Sequence, residues 1–175
     1  MTKNELLKLF LLHRSRVSLK MSKLGNDLAA RGRRHDNSYS GSTELCIMEK
    51  ISNTSDEDEK AHNKKLLYSI HASKNDYLPE FFENGILDMN VLQLIEFITD
   101  KVVEFEESVL KPGELSTVDV NECKKYVISK FDNVSDDVKS IIGNTVEYIC
   151  DSNKAILKTL MRSEEGVDNV THKEE

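Results

Sequence analysis

The chain has no tryptophan, two prolines and seven glycines in 175 residues. So few breakers leave little room for the turn-rich connections of sandwiches and barrels, and they favour long helices. No apolar run approaches the roughly 20 residues that a membrane-spanning helix needs. The opening MTKNELLKLFLLHRSR is only briefly apolar, interrupted by Lys8 and ended at His13, so it does not read as a signal peptide. Three cysteines, Cys46, Cys123 and Cys150, are odd in number and widely spaced, with no CxxC pair. A structural zinc knot is therefore unsupported, and reduced thiols point to the cytoplasm. Each cysteine sits among apolar neighbours at helical spacing and reads as a small buried hydrophobe. Positive charge is also short: the net charge is −7. A generic grip on nucleic-acid phosphates is not expected, although a local patch can hold a small anion.

What is present is helical period. Leu6, Leu7, Phe10, Leu11, Val17, Met21, Leu24 and Leu28 recur at three- and four-residue steps and predict a helix over 4–30, broken near Gly32. A Ser- and Asn-rich loop follows over 33–43, then a short helix over 43–51. Ser55 and the acids after it start a helix over 55–74, with Leu66, Leu67 and Ile70 inward. Pro79 and Gly85 mark 75–87 as a loop. Asp88 is the expected cap of a helix over 89–109 that buries Val91, Leu92, Ile95, Ile98, Val102 and Phe105. Lys111-Pro112-Gly113 is a stop. Helices over 117–131 and 135–161 follow, and a polar tail from Ser163 is expected to be disordered. No segment alternates as a strand, so the fold class is all-α.

The chemistry-bearing residues stand in the order His13, His35-Asp36, Asp100. Imidazole and carboxylate are the ligand types of zinc, manganese, iron and magnesium. A metal held by several protein ligands leaves positions for water and a phosphate oxygen. For each residue a plainer reading stands beside this one. His13 also reads as a helix histidine, His35-Asp36 as a loop pair beside Arg33 or Arg34, and Asp100 as an acid paired with Lys101. His71 and Asn75 are four apart, as are Glu96 and Asp100, so each pair shares a face if helical. Glu44 is a general-base candidate or a helix-start acid. His62 lies in the charged stretch HNKK and reads as solvated. Arg31, Arg33 and Arg34 read as a solvated face or as phosphate contacts.

The run L-x-H-x₃-V-x₆-L, then RG-x₂-HDNS, then His71 to Glu80 (HASKNDYLPE) and Met89 to Asp100 (MNVLQLIEFITD) resembles a known family over about residues 10–105. It is similar to the HD metal-dependent phosphohydrolase superfamily, in particular to its bacterial and phage branch, domain-of-unknown-function family 5662. The resemblance implies an HD-like helical bundle, taken as 1–110; outside it, a helical extension over 111–162 is expected to pack on that bundle, followed by the tail 163–175. It implies metal ligands His13, His35, Asp36 and Asp100, with Mn, Fe, Zn, Ni or Mg as the divalent ion. It further implies that His71 and Asn75 face the same pocket. Beside it, catalytic roles are expected for Asp36, Glu44 and His71, and contacts of Arg34, Asn75, Tyr39 and Tyr77, the two tyrosines in place of lost polar partners, to a nucleotide or other small phosphorylated substrate. The expected activity is a metal-dependent phosphohydrolase in the cytoplasm, the host's if phage-encoded. Tyr39 stands where the family has Lys, Tyr77 and Leu78 where it has His-His, and Lys101 where it has Trp. These departures admit a second expectation, a degenerate relative that binds a nucleotide or a host protein without hydrolysis. The apolar stripe of 116–161 packs on the core or builds a homodimer. No membrane contact is expected.

Overall fold

The computed structural model describes residues 2–111, 117–131 and 134–168, with side chains through residue 152. The described residues form helices joined by turns, with no strand among them. Six α-helices appear: α1 (Lys3–Arg34), α2 (Ser42–Asn53), α3 (Glu57–Lys74), α4 (Val91–Val109), α5 (Val120–Ile128) and α6 (Asp136–Asp168). Single 3-10 turns occupy Asn37–Ser40, Pro79–Phe81 and Gly85–Asp88. The chain divides into two compact units, Met1–Glu96 and Phe97–Glu175, and the division falls inside α4.

In the first unit, Thr2 and Glu5 form a reciprocal capping box that starts α1. The helix then runs through Gly25 and Gly32 without a break, and a Cβ at either would meet nothing within 4 Å. The expected stop at Gly32 is therefore displaced to His35. The periodic face of α1 is real, but the helix buries none of its residues. Leu6, Phe10, Val17 and Met21 are all exposed. α2 packs against α3. Asp56, not Ser55, caps α3, accepting from the Asp58 and Glu59 amides at 2.9 and 3.1 Å. α3 buries Asn63, His71 and Ala72 rather than the expected apolar set: Leu66 is exposed, and Leu67 and Ile70 are half-buried. Asn90 replaces Asp88 as the cap of α4, accepting from the Leu92 and Gln93 amides at 2.9 and 3.2 Å. Asp88 instead accepts from the Asn84 amide at 3.0 Å.

The second unit has the more apolar core. Ile98, Val102, Cys123, Val127, Phe131, Ile142, Val146 and Cys150 are buried, matching the sequence periodicity of α5 and α6. Phe97 and Phe131 meet edge to face at 5.3 Å. α5 packs against α6, and Asp119 caps α5. In α4, Val91 is exposed, while Leu92, Ile95 and Phe105 are half-buried. α6 continues to Asp168, so the tail expected from Ser163 begins as helix; 169–175 lie outside the described residues. Cys46 is exposed, against expectation, while Cys123 and Cys150 are buried.

Candidate functional site

The first unit gathers its polar chemistry where α1 ends. His35 leaves the helix with φ −52° and ψ 133°. Asp36 then takes a left-handed conformation, φ 59° and ψ 10°. For a residue with a Cβ this costs about 1 kcal/mol, although Asp tolerates it better than most. The Tyr39 amide closes the turn on the Asp36 carbonyl at 2.9 Å. The strained residue points its carboxylate back at the side chains of α3 and the turn after it.

Asp36 Oδ1 is the hub. The Tyr77 hydroxyl donates to it at 2.7 Å. His71 Nε2 lies 3.3 Å away and His35 Nε2 3.6 Å away. The Tyr77 oxygen is also 2.9 Å from His71 Nε2. The other face of His71 fixes its tautomer. Asn75 Nδ2 donates to Ser38 Oγ at 2.8 Å and to the His71 carbonyl at 2.6 Å. Ser38, having accepted, donates to His71 Nδ1 at 2.8 Å. Nδ1 is thus an acceptor, and Nε2 carries the proton towards Tyr77 and Asp36. Tyr39 stacks on the His71 ring at 4.1 Å with an interplanar angle of 6°. His71 and Tyr77 are each 3% exposed, so this network is nearly dry, while Asp36 remains half-exposed.

A second layer orients the first. Glu96 accepts from His35 Nδ1 at 3.1 Å and is also bonded by Arg31 Nε. Arg31 reaches Asp76 with its Nη2 at 2.5 Å, and Gln93 donates to the same carboxylate at 2.8 Å. Burial alone would raise the Asp76 carboxyl, but the Arg31 and Gln93 hydrogen bonds outweigh it and hold it below its ordinary value. Glu44 is fully buried and bonded by Lys74, whose ammonium holds its carboxyl low. Its Oε2 has no hydrogen-bond partner. Gly41 makes room for that oxygen, since a Cβ there would stand 2.6 Å from it.

The structure brings together His35, Asp36, Tyr39, His71, Asn75 and Tyr77. It does not bring His13 to them. His13 and His35 lie 22 positions apart on one uninterrupted helix and its cap, a rise of about 33 Å. Asp100 belongs to the second unit, where Lys101 Nζ stands 3.1 Å from it. Arg34 is exposed and donates to the Ala30 carbonyl at 3.2 Å. Among the described residues no group of three or more His, Cys, Asp or Glu side chains is arranged to hold a metal ion. His13 therefore does not join His35 and Asp36 within the first unit, and the Tyr77 hydroxyl sits beside the Asp36–His71 contact, 2.7 and 2.9 Å from its two atoms. Sequence reasoning missed Asp76 and Gln93. Arg31 entered it as a solvated or phosphate-contacting residue and Glu96 through its spacing with Asp100, neither as a partner of the other.

Residues 2–148 match a family of unknown function, DUF5662. The chain belongs to that family. The match covers the whole polar cluster and runs into the second unit as far as residue 148, well beyond the stretch on which the sequence resemblance rested. No curated protein and no solved structure matches this DUF5662 member.

Proposed function

We propose that this DUF5662 chain is a degenerate relative of the HD phosphohydrolases that binds a nucleotide-class ligand without metal-driven hydrolysis. The observation that carries the reading is the Tyr77 hydroxyl, 2.7 Å from Asp36 Oδ1 and 2.9 Å from His71 Nε2. It satisfies the acid and the imidazole at once, in the place where a shared cation would have to sit. Arg31 and Lys74 are likewise spent on Asp76, Glu96 and Glu44. The exposed rim supports ligand capture: Arg33 and Arg34 flank the half-exposed His35 and Asp36, and Tyr39 offers a ring beside them. Guanidinium groups suit phosphate, and an aromatic edge suits a base.

One observation favours the hydrolase reading instead. Asp36, Glu44, Asp76 and Glu96 gather here with Arg31 and Lys74 as their ion-paired cations, a concentration of negative charge that a divalent ion would offset. Titration calorimetry with a nucleotide panel, beside phosphate-release assays with and without Mn²⁺, separates the two. Binding without release is the expected result. Mn²⁺-dependent release that disappears in Asp36→Ala would overturn the binding reading in favour of the hydrolase.

A further inference from the structure

Charge along this chain is distributed unevenly. Residues 2–34 hold nine Lys and Arg against two Asp and Glu, a net of +7. The chain as a whole is −7, so the remaining residues carry −14. The basic segment is α1, and its apolar stripe is bare: Leu6 is 39% exposed, Phe10 68%, Val17 45%, Met21 63% and Leu24 40%. Arg14 lies four residues after Phe10 and three before Val17, and Lys20 three after Val17 and four before Leu24. Both therefore flank the stripe. An exposed apolar strip with cationic edges marks an interaction surface.

A matching surface exists on the same chain. On α6, Ile141 and Tyr148 are 64% and 75% exposed, two helical turns apart on one face. Asp137, Asn144 and Asp151 fall on that face between and beyond them, and all three are exposed. Asp136 is fully exposed, with Lys139 3.8 Å from it. An apolar line thus runs beside an acidic one along this face, opposite in charge to α1.

We propose that α1 of one copy of the chain docks on this acidic face of α6 in a second copy. Phe10, Val17 and Met21 cover Ile141 and Tyr148, while Arg14 and Lys20 meet Asp137 and Asp151. A two-fold arrangement would make the contact twice and close it as a dimer. Pairing α1 with α1 would instead bring two segments of +7 together, and the cost rises as salt is lowered. The association stands apart from the polar cluster and does not depend on whether that cluster binds or cleaves its ligand.

Sedimentation of the full chain at about 100 μM, in 50 and 500 mM NaCl, tests it. A dimer is expected at low salt, weakened about tenfold or more at high salt as the charge pairs are screened. The doubly substituted Phe10→Ser, Met21→Ser chain should sediment as a monomer, as should Asp137→Lys, Asp151→Lys. Adding Arg14→Glu and Lys20→Glu to the latter pair should restore the dimer, with helical circular dichroism checked for each variant. A wild-type monomer at low salt overturns the proposal. So does a dimer that tightens with salt or ignores the α6 reversals, the behaviour of α1 paired with α1. Failure of the charge swap to rescue association overturns the α1–α6 pairing itself.

Discussion

Tyr77 is the residue on which the chemistry turns. Its ring is buried and its hydroxyl spans Asp36 and His71. Tyr77→Phe removes the oxygen that bonds both, and leaves an acid and an imidazole 3.3 Å apart with that side open. Wild-type protein prepared without chelator is expected to carry no stoichiometric transition metal by elemental analysis. Tyr77→Phe is expected to take up close to one equivalent of Zn²⁺ or Mn²⁺, and to lose it when Asp36→Ala is added. Uptake by wild type and variant alike would show that the hydroxyl is no barrier. Gly41 is the second decisive residue. A methyl group there meets Glu44 Oε2 at 2.6 Å and the Ser38 carbonyl at 3.1 Å, and neither yields easily, since Glu44 is buried and tied to Lys74. Gly41→Ala should cost about 1–3 kcal/mol in urea unfolding, and distinctly less in a Glu44→Ala background. At this scale the sequence was informative about types and poor about partners. Spacing paired His71 with Asn75, and the family resemblance set His35 and Asp36 beside them, with the two tyrosines noted as its departures. The acids that orient them could not be placed in this way, because Asp76 and Glu96 reach Arg31 across 45 and 65 residues of chain and nothing in local pattern encodes that pairing. Arg31 itself, read with Arg33 and Arg34 as a solvated face, turned out half-buried between two carboxylates.

Among the elements, α5 and α6 were the most legible. Their apolar periodicity predicted Cys123, Val127, Phe131, Ile142 and Val146, which are buried, and Val120, Val138 and Ile149, which are half-buried; the side chains of Ile156 and Leu160 lie outside those described. Val146 is fully buried, so Val146→Ala should lose about 1–3 kcal/mol by thermal or urea unfolding, a larger loss than at the exposed Val109. The cysteines give an independent readout. Burial pushes the Cys123 thiol up to about 12, with Cys150 beside it, whereas Cys46 is exposed on α2. Native protein at pH 8 should therefore release one equivalent of chromophore rapidly with a disulfide reagent, from Cys46. The remaining two equivalents should follow only on unfolding. Three fast equivalents would contradict the packing of α5 on α6. α1 shows the limit of periodicity. An amphipathic pattern states that a face seeks a partner, but it does not say which partner, and within this chain the face of α1 is uncovered over most of its length.

For the whole molecule, the all-helical class was set by composition and the scarcity of breakers. The sequence places a helix stop at Lys111-Pro112-Gly113, of which residues 112 and 113 lie outside the described residues, and the compact units divide after Glu96. A proline stop marks where a helix ends; it does not mark where packing changes sides. Each unit also carries a depressed acid. Asp76 in the first is held low by Arg31 and Gln93, and Glu104 in the second by Lys101 and Tyr126, in both cases against the opposing effect of burial. Their folded values lie below their unfolded ones. The stability they contribute is therefore present above the ordinary carboxyl range, near pH 4, and is lost as pH falls through the folded values. The urea midpoint should stay level from pH 7 to about 5 and fall below about pH 4. Replacing both acids by their amides should flatten that acid limb, and an unchanged limb would rule these two groups out as its source.

One consequence of α4 concerns portability. Glu96 and Phe97 are successive residues of a single helix, yet they belong to different compact units. A gene fragment ending at the boundary would keep only Val91–Glu96, less than two turns, too short to persist as helix by itself. The carboxylate that steadies Arg31 and His35 would then be left on a frayed end. The two units are separable on a map of the fold but not by scissors. Recombination that moves the histidine cluster into another protein must carry the helical stretch beyond it as well, so the pair is inherited as a single block.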